Sequence, residues 1–250
     1  MGTSLHIERY GEGPAMLFIH GSGCNCRMWE RQREYLHSSM EVVLVDLPGH
    51  GRSPGDGCDS VKEYADAIYG SMERLYPRGY YVAGHSLGGA IAMSLALLHP
   101  SVIEGVVLIG TGARLRVLPE IIEGLLKEKE RTLADINRLV FSKGKGAPSS
   151  LRDEAFAMMM GCGAEIIRKD FVACDRFDIM SSITSIKAPA LILCGEEDAL
   201  TPVKYSRFLN EKISGSQLVL IEDAGHMAMI EKPDEVSKAI DIFVKNHIDS

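Results

Sequence analysis

The chain has 250 residues, 46% of them hydrophobic and 24% charged, with a formal net charge of −7; this supports one or two globular domains and excludes a disordered or fibrous chain. The 27 lysines and arginines gather into no basic stripe, which argues against a nucleic-acid partner. No apolar run is long enough to cross a bilayer. The first strand-like segment begins too soon after Met1 for a signal peptide, so a cytoplasmic location is expected.

Short apolar runs alternate with amphipathic stretches, the pattern of βα units around a mostly parallel sheet. In chain order, strands are predicted over residues 15–19, 42–45, 80–83, 106–109, 190–194 and 217–221, with residues 5–8 adding an antiparallel edge. Most are continuous apolar runs, as expected of strands covered by helices on both faces. Helices are predicted over residues 26–37, 60–75, 86–98, 203–212 and 233–246, and Ser60 followed by Glu63 reads as a capping box. Between residues 113 and 182 the rhythm breaks. Ile121, Ile122, Leu125 and Leu126, then Leu133, Ile136, Leu139 and Val140, recur at helical spacing with no good strand, and a Gly/Lys/Pro loop at 143–148 splits the stretch. The expected organisation is an α/β core domain from residues 1–112 and 183–250, with a helical insertion over 113–182.

Six cysteines (Cys24, Cys26, Cys58, Cys162, Cys174 and Cys194) in a chain without an export signal are expected as free thiols. Cys24-x-Cys26 lacks the spacing of a redox or zinc pair and no second pair follows, so neither a metal nor a cofactor is expected.

The strongest chemical signal is Gly84-His85-Ser86-Leu87-Gly88, a G-x-S-x-G match. Alone it is weak in a chain with 25 glycines. Here a predicted strand leads into it and an unbroken helix leaves it, and Gly84, Gly88, Gly89 and Ala90 supply the small neighbours that a sharp turn requires. Ser86 then stands above the sheet near a helix N-terminus, where developing negative charge is favoured.

With this motif the sequence resembles the α/β-hydrolase family over nearly its whole length. The resemblance rests also on Phe18-Ile19-His20-Gly21-Ser22-Gly23, Asp46-Leu47-Pro48-Gly49-His50-Gly51-Arg52-Ser53, Gly195-Glu196-Glu197-Asp198 and Gly225-His226, arriving in the family's order. It implies a doubly wound, mostly parallel sheet with a helical cap over the active site.

Ser86 needs a base, and the base needs an acceptor that fixes its tautomer. Among eight histidines, His226 follows the last strand on a short loop and matches the family's Ser…Asp…His order. His20 reads as a hydrogen-bonding residue of its own loop, His50 and His85 as structural turn residues, and His6, His37, His99 and His247 as surface or element-end residues. The resemblance places the acid at Asp198; Glu196 is too near its strand, and Asp223 is only three positions from His226. Two backbone N–H groups should receive the oxyanion, one from Leu87 and the other from Ser22, with Gly23 second.

The cap should shape the pocket. Phe141 and Met158 are expected to line it, with Met159, Met160 and Met180 as core. Met227 and Met229, flanking His226, divide evenly between pocket and core, as does Trp29 between pocket wall and helix packing. Arg114 and Arg116 are expected in solvent, with Arg114 a possible carboxylate anchor. The resemblance implies an esterase or related acyl hydrolase acting on a small-molecule, ester-like substrate. Family members with aspartate at the elbow are dehalogenases and epoxide hydrolases, which Ser86 argues against. A C–C bond hydrolase, a metal-free serine perhydrolase and a slow ligand receptor on the same fold stay open, as does the oligomeric state.

Overall fold

A computed structural model describes residues 4–143 and 148–248. Residues 144–147, inside the predicted 143–148 loop, lie outside the described residues. Seven strands, β1 (Ile7–Tyr10), β2 (Ala15–Ile19), β3 (Glu41–Val45), β4 (Tyr80–His85), β5 (Ile103–Ile109), β6 (Ala190–Gly195) and β7 (Gln217–Ile221), form one sheet in the order β1-β3-β2-β4-β5-β6-β7. Only β1 runs antiparallel, pairing Ile7 with Val45 and Tyr10 with Val42. The other strands are parallel, so each crossover carries a helix or more.

Period-2 alternation divides the strand side chains between two cores. Leu17, Ile19, Val43, Val45, Val82, Val106, Leu108 and Ile192 face helices α2 (Val61–Leu75), α3 (Leu87–Leu98) and α8 (Val203–Lys212). Met16, Phe18, Val42, Leu44, Ala83, Val107, Ile109 and Leu193 face α1 (Glu30–Leu36) and α10 (Pro233–Ile248) on the other side. With both faces covered, each of the Val, Leu, Ile, Phe and Met side chains among these contributes about 1.5–3 kcal/mol by leaving water, which is why the strands are continuous apolar runs. The edge strand β7 alternates instead, exposing Gln217 and Val219.

Several local features differ from the sequence expectation. The predicted helix over 26–37 is two pieces, a 3₁₀ turn (Cys26–Trp29) capped by the Asn25 side chain, then α1. Ser60 caps α2 by accepting the Glu63 N–H at 3.2 Å, but Glu63 reaches back to the Asp59 N–H at 2.9 Å, one residue before the position a capping box uses. A one-turn helix, α9 (Ala228–Glu231), precedes α10.

Between β5 and β6 the described residues form α4 (Pro119–Lys127), α5 (Lys129–Leu139), α6 (Ser149–Gly161) and α7 (Ala164–Arg176). The stretch starts and ends side by side. Ile179 N–H donates to the Ala113 carbonyl at 2.9 Å, Leu115 N–H to Phe177 at 3.4 Å, and Arg114 bridges Asp178. No helix among the described residues is long and apolar enough to cross a membrane.

Candidate active site

The site is built at the carboxyl ends of β2, β4 and β6, where α/β sheets leave a crevice. β4 runs through His85, and the chain turns at Ser86 with φ 54° and ψ −113° before α3 begins at Leu87. A non-glycine residue held there costs on the order of 1–3 kcal/mol. Its surroundings hold it: Ser86 N–H donates to the Ile109 carbonyl at 3.0 Å, and Thr111 Oγ1 donates to the Ser86 carbonyl at 2.8 Å. The turn is too tight for side chains. A Cβ on Gly84 would stand 2.1 Å from the Gly88 carbonyl oxygen, and one on Gly88 would stand 2.2 Å from that of Ile19.

Asp198 and His226 are buried together. His226 Nδ1 donates to Asp198 Oδ2 at 2.9 Å. The carboxylate also accepts the N–H groups of Leu200 and Thr201 at Oδ1, 2.9 and 2.8 Å, and the Thr201 hydroxyl at Oδ2, 2.8 Å. Burial alone would raise its pKa, but the charge and hydrogen bond of His226 and the two Thr201 donors outweigh burial and hold the carboxyl below its ordinary value. His85 Nε2 donates to the His226 carbonyl at 3.0 Å and its ring lies 4.6 Å from the His226 ring. Burial first, then the neighbouring His226 charge, keeps His85 neutral.

Three other carboxylates of the region have different positions. Glu196 is exposed at the end of β6, Glu197 accepts the Lys143 N–H at 2.7 Å, and Asp223 occupies a left-handed turn at φ 54°. Glu231, which sequence reasoning passed over, accepts the N–H groups of Gly225 at 2.8 Å and Ser142 at 2.9 Å. It thereby ties the His226 loop to the segment that follows α5 in the helical stretch. The signal available in sequence was only its position five residues beyond His226.

The loop after β2 is held by His20. Its Nδ1 donates to the Gly21 carbonyl at 2.8 Å, and its Nε2 accepts the Leu47 N–H at 3.0 Å. Complete burial, reinforced by the charge of His50, pushes its pKa down to about 3, so the ring is neutral. Gly23 N–H is committed to Asp170 Oδ2 at 2.8 Å, which removes Gly23 from the oxyanion donors expected from sequence. Ser22 faces the cavity, and among the described residues its N–H has no hydrogen-bond partner. Leu87 opens α3, so no preceding helical turn takes its N–H.

Ser86, His226 and Ser22 open into a cavity of about 360 Å³. Its walls are mostly apolar and come largely from the stretch between β5 and β6, including Leu115, Val117, Ile136, Leu139, Met159 and Phe171. Of the pocket residues expected from sequence, Met227 lines it. The other four do not. Trp29 is fully buried against Phe18, ring centroids 5.2 Å apart; Met229 is core, its carbonyl accepting Gln32 Nε2; Phe141 is buried beneath the Arg152 guanidinium; and Met158 on α6 is half-buried beside other clefts while Met159 turns into the cavity. Arg114 is paired with Asp178 at 2.7 Å and lies outside the lining, whereas Arg116, held by the Asp175 carbonyl, borders it.

Away from the cavity, ligand atoms of His6, Glu8 and Cys26 lie within 4.8 Å of one another. The Glu8 carboxylate is already taken by His6, Tyr10 and Arg52, and burial pushes the Cys26 thiol up to about 12. That donor set is a hydrogen-bond cluster on the β1 edge rather than a metal centre.

A family model described as "Alpha/beta hydrolase family" matches residues 16–239. A pimeloyl-(acyl-carrier protein) methyl ester esterase from Nitrosomonas europaea is 26% identical, with 96% of this chain and 99% of that protein covered. Among solved structures, a thermophilic esterase is 34% identical with a TM-score of 0.85, covering 96% of this chain and 98% of the other. The enol-lactonase from Burkholderia xenovorans is 26% identical with a TM-score of 0.87, covering 98% and 97%. Sequence, fold and elbow geometry agree, and the chain belongs to the alpha/beta hydrolase family.

Proposed function

We propose that this hydrolase cleaves carboxylic esters with Ser86 as nucleophile, His226 as base and Asp198 as the acid that orients it. One observation carries the reading: the buried His226–Asp198 hydrogen bond of 2.9 Å stands at the same apolar cavity as the Ser86 elbow. With Nδ1 committed to Asp198, the proton-accepting nitrogen is Nε2. Ser86 Oγ gives its proton to Nε2 and bonds the ester carbonyl carbon. The resulting oxyanion takes the N–H groups of Leu87 and Ser22. Collapse breaks the bond to the alkoxy group, which leaves with the proton from His226, and water repeats the sequence on the acyl-enzyme to release the acid.

The cavity volume is at the lower end of the roughly 300–1,000 Å³ usual for small-molecule sites, which favours small to medium, largely apolar acyl groups. Residues 113–182 supply half of the lining residues and most of the apolar ones, so we read them as a cap that sets substrate size. The relative and the two solved neighbours named above act on esters or an enol-lactone by their names, which supports the ester reading. The C–C bond reading loses its anchor, because Arg114 is paired with Asp178 outside the cavity. The test is labelling by a fluorophosphonate followed by rates on p-nitrophenyl esters of rising chain length and on a vinylogous diketone. Ester turnover that disappears with Ser86→Ala is the expected result. Diketone turnover exceeding that of every ester would overturn it.

A further inference from the structure

Asp170 lies on α7, far from the elbow in sequence, and its side chain is fully buried. A buried carboxylate needs a reason, since an unpaired one costs several kcal/mol. Here both oxygens are hydrogen-bonded, by three donors in all. Oδ2 accepts Gly23 N–H at 2.8 Å and His50 Nε2 at 2.9 Å, and Oδ1 accepts the Tyr64 hydroxyl at 2.6 Å. The other His50 nitrogen, Nδ1, faces the Pro48 carbonyl at 3.1 Å. Carboxylate and carbonyl are both acceptors, so both ring nitrogens carry protons and the pair is an imidazolium–carboxylate buried within the fold. The ring also packs, tilted, against the His20 ring, centroids 4.9 Å apart.

The geometry around Ser22 shows what this ion pair holds. The Ser22 N–H belongs to the peptide plane of the Gly21 carbonyl, and that carbonyl is clamped by His20 Nδ1 at 2.8 Å and by Cys24 N–H at 3.2 Å. The next peptide plane ends in the Gly23 N–H, which Asp170 clamps. The two planes meet at the Ser22 Cα, so fixing both sets the direction of the Ser22 N–H. Gly23 also sits at φ +67°, a conformation that only glycine adopts without strain, and a Cβ there would stand 3.2 Å from Ile167. Cys174 Sγ lies 3.8 Å from the Ser22 hydroxyl. Ile167, Asp170 and Cys174 are spaced i, i+3 and i+7, so one face of α7 is the platform on which the loop rests.

We propose that Asp170, charge-paired with His50, is a positioning residue for the oxyanion hole: it acts through Gly23 to aim the Ser22 N–H, and it couples the helical stretch over the cavity to the catalytic geometry. This rests on the reading of Ser86 as nucleophile and Ser22 as oxyanion donor. A misaimed donor weakens the tetrahedral state and leaves ground-state binding alone, so kcat should fall while KM holds.

The test compares wild type, Asp170→Ala and Asp170→Asn with p-nitrophenyl butyrate as substrate and an alkyl boronic acid as inhibitor. The boronic acid adds to the serine hydroxyl as a tetrahedral anion and so reports on the oxyanion site. Removing an oxyanion donor outright costs about 10²–10³ in kcat; a misdirected one should cost less, about tenfold to a hundredfold for Asp170→Ala. KM should stay within about threefold, and the boronate inhibition constant should weaken in parallel with kcat/KM. Asn keeps one carbonyl oxygen for Gly23 but loses the charge, so it should fall between Ala and wild type on both axes. A folded Asp170→Ala with kcat within about threefold of wild type overturns the proposal, as does a kcat loss with unchanged boronate affinity, which would mark a purely structural role. Should Asp170→Ala fail to fold, Asp170→Asn decides on the same two axes: parallel losses support the proposal, and unchanged kcat and boronate affinity overturn it. Wild type that neither reacts with a fluorophosphonate at Ser86 nor binds the boronate refutes the nucleophile assignment itself, a failure distinct from that of Asp170.

Discussion

Replacing Asp198 with asparagine changes one atom and should nearly abolish activity. The carboxylate accepts four hydrogen bonds, two at each oxygen. Asn can keep the pair at Oδ1, because its carbonyl oxygen accepts the Leu200 and Thr201 N–H groups as before. At the Oδ2 position it presents an NH₂ group. Thr201 Oγ1, 3.2 Å from His226 Nδ1, can rotate and accept from it. His226 cannot do the same without moving its proton: Nδ1 must become an acceptor, so the proton shifts to Nε2. That nitrogen then cannot take the Ser86 proton. A triad aspartate-to-asparagine change of this kind costs about four orders of magnitude in kcat with the geometry intact, equivalent to about 5.5 kcal/mol at the barrier. The stability loss should be far smaller, about 1.5–3 kcal/mol for a weakened charge-assisted bond. Initial rates with p-nitrophenyl acetate, read beside urea unfolding, separate the two. Activity of Asp198→Asn within about tenfold of wild type, or a crippled Asp223→Asn beside it, would refute the tautomer argument.

Three further outcomes follow from the same structure. His20 and His85 are neutral when folded and take up protons on unfolding below about pH 6.5, each adding up to about 1.4 kcal/mol per pH unit of lost stability as pH falls. His50, beside Asp170, Cys162, His20 and Tyr64, is pushed down by burial but raised more by Asp170, so its contribution is full below about pH 6.5 and is lost as pH rises. The urea midpoint should therefore peak near neutrality and fall on both sides; a midpoint rising steadily to about pH 8.5 contradicts these assignments. Met159→Phe narrows the cavity from α6, so the octanoate ester should lose at least about tenfold in kcat/KM while the acetate ester changes by less than about threefold, the size of effect that a few methylenes produce; equal losses on both would show that Met159 supports the core instead. The Tyr80 hydroxyl is buried and makes no hydrogen bond among the described residues, so Tyr80→Phe should be neutral or stabilising by about 1 kcal/mol in thermal unfolding, and a loss above that would reveal a missed partner.

How much of this could be read from the chain depended on whether the signal was local. β2, β4 and β6 are legible because burial on both faces forces an unbroken apolar run. The start of β5 was not, because Glu104 and Gly105 interrupt its apolar pattern even though both lie in the strand. The elbow was legible because its turn excludes side chains at Gly84 and Gly88. The pocket was legible only in outline. Met158, Met159 and Met160 are identical neighbours set about 100° apart around a helix, and nothing in three methionines tells which one turns inward. Trp29 lies a few residues past the oxyanion loop, yet its ring packs into the core against Phe18 instead of reaching the cavity. Asp170 left a trace, a carboxylate on a helix face otherwise marked by Ile167 and Cys174, but no motif said that its partners were Gly23, His50 and Tyr64.

The proposed chemistry requires Ser86 to carry the acyl group. Rapid mixing of enzyme with excess p-nitrophenyl acetate, quenched in acid and followed by peptide mass mapping, reads this directly. One acyl group per chain on the peptide containing Ser86, absent in Ser86→Ala and increased when deacylation is slowed, is the predicted result. An acyl group on any other residue, or turnover that persists in purified Ser86→Ala, would contradict it.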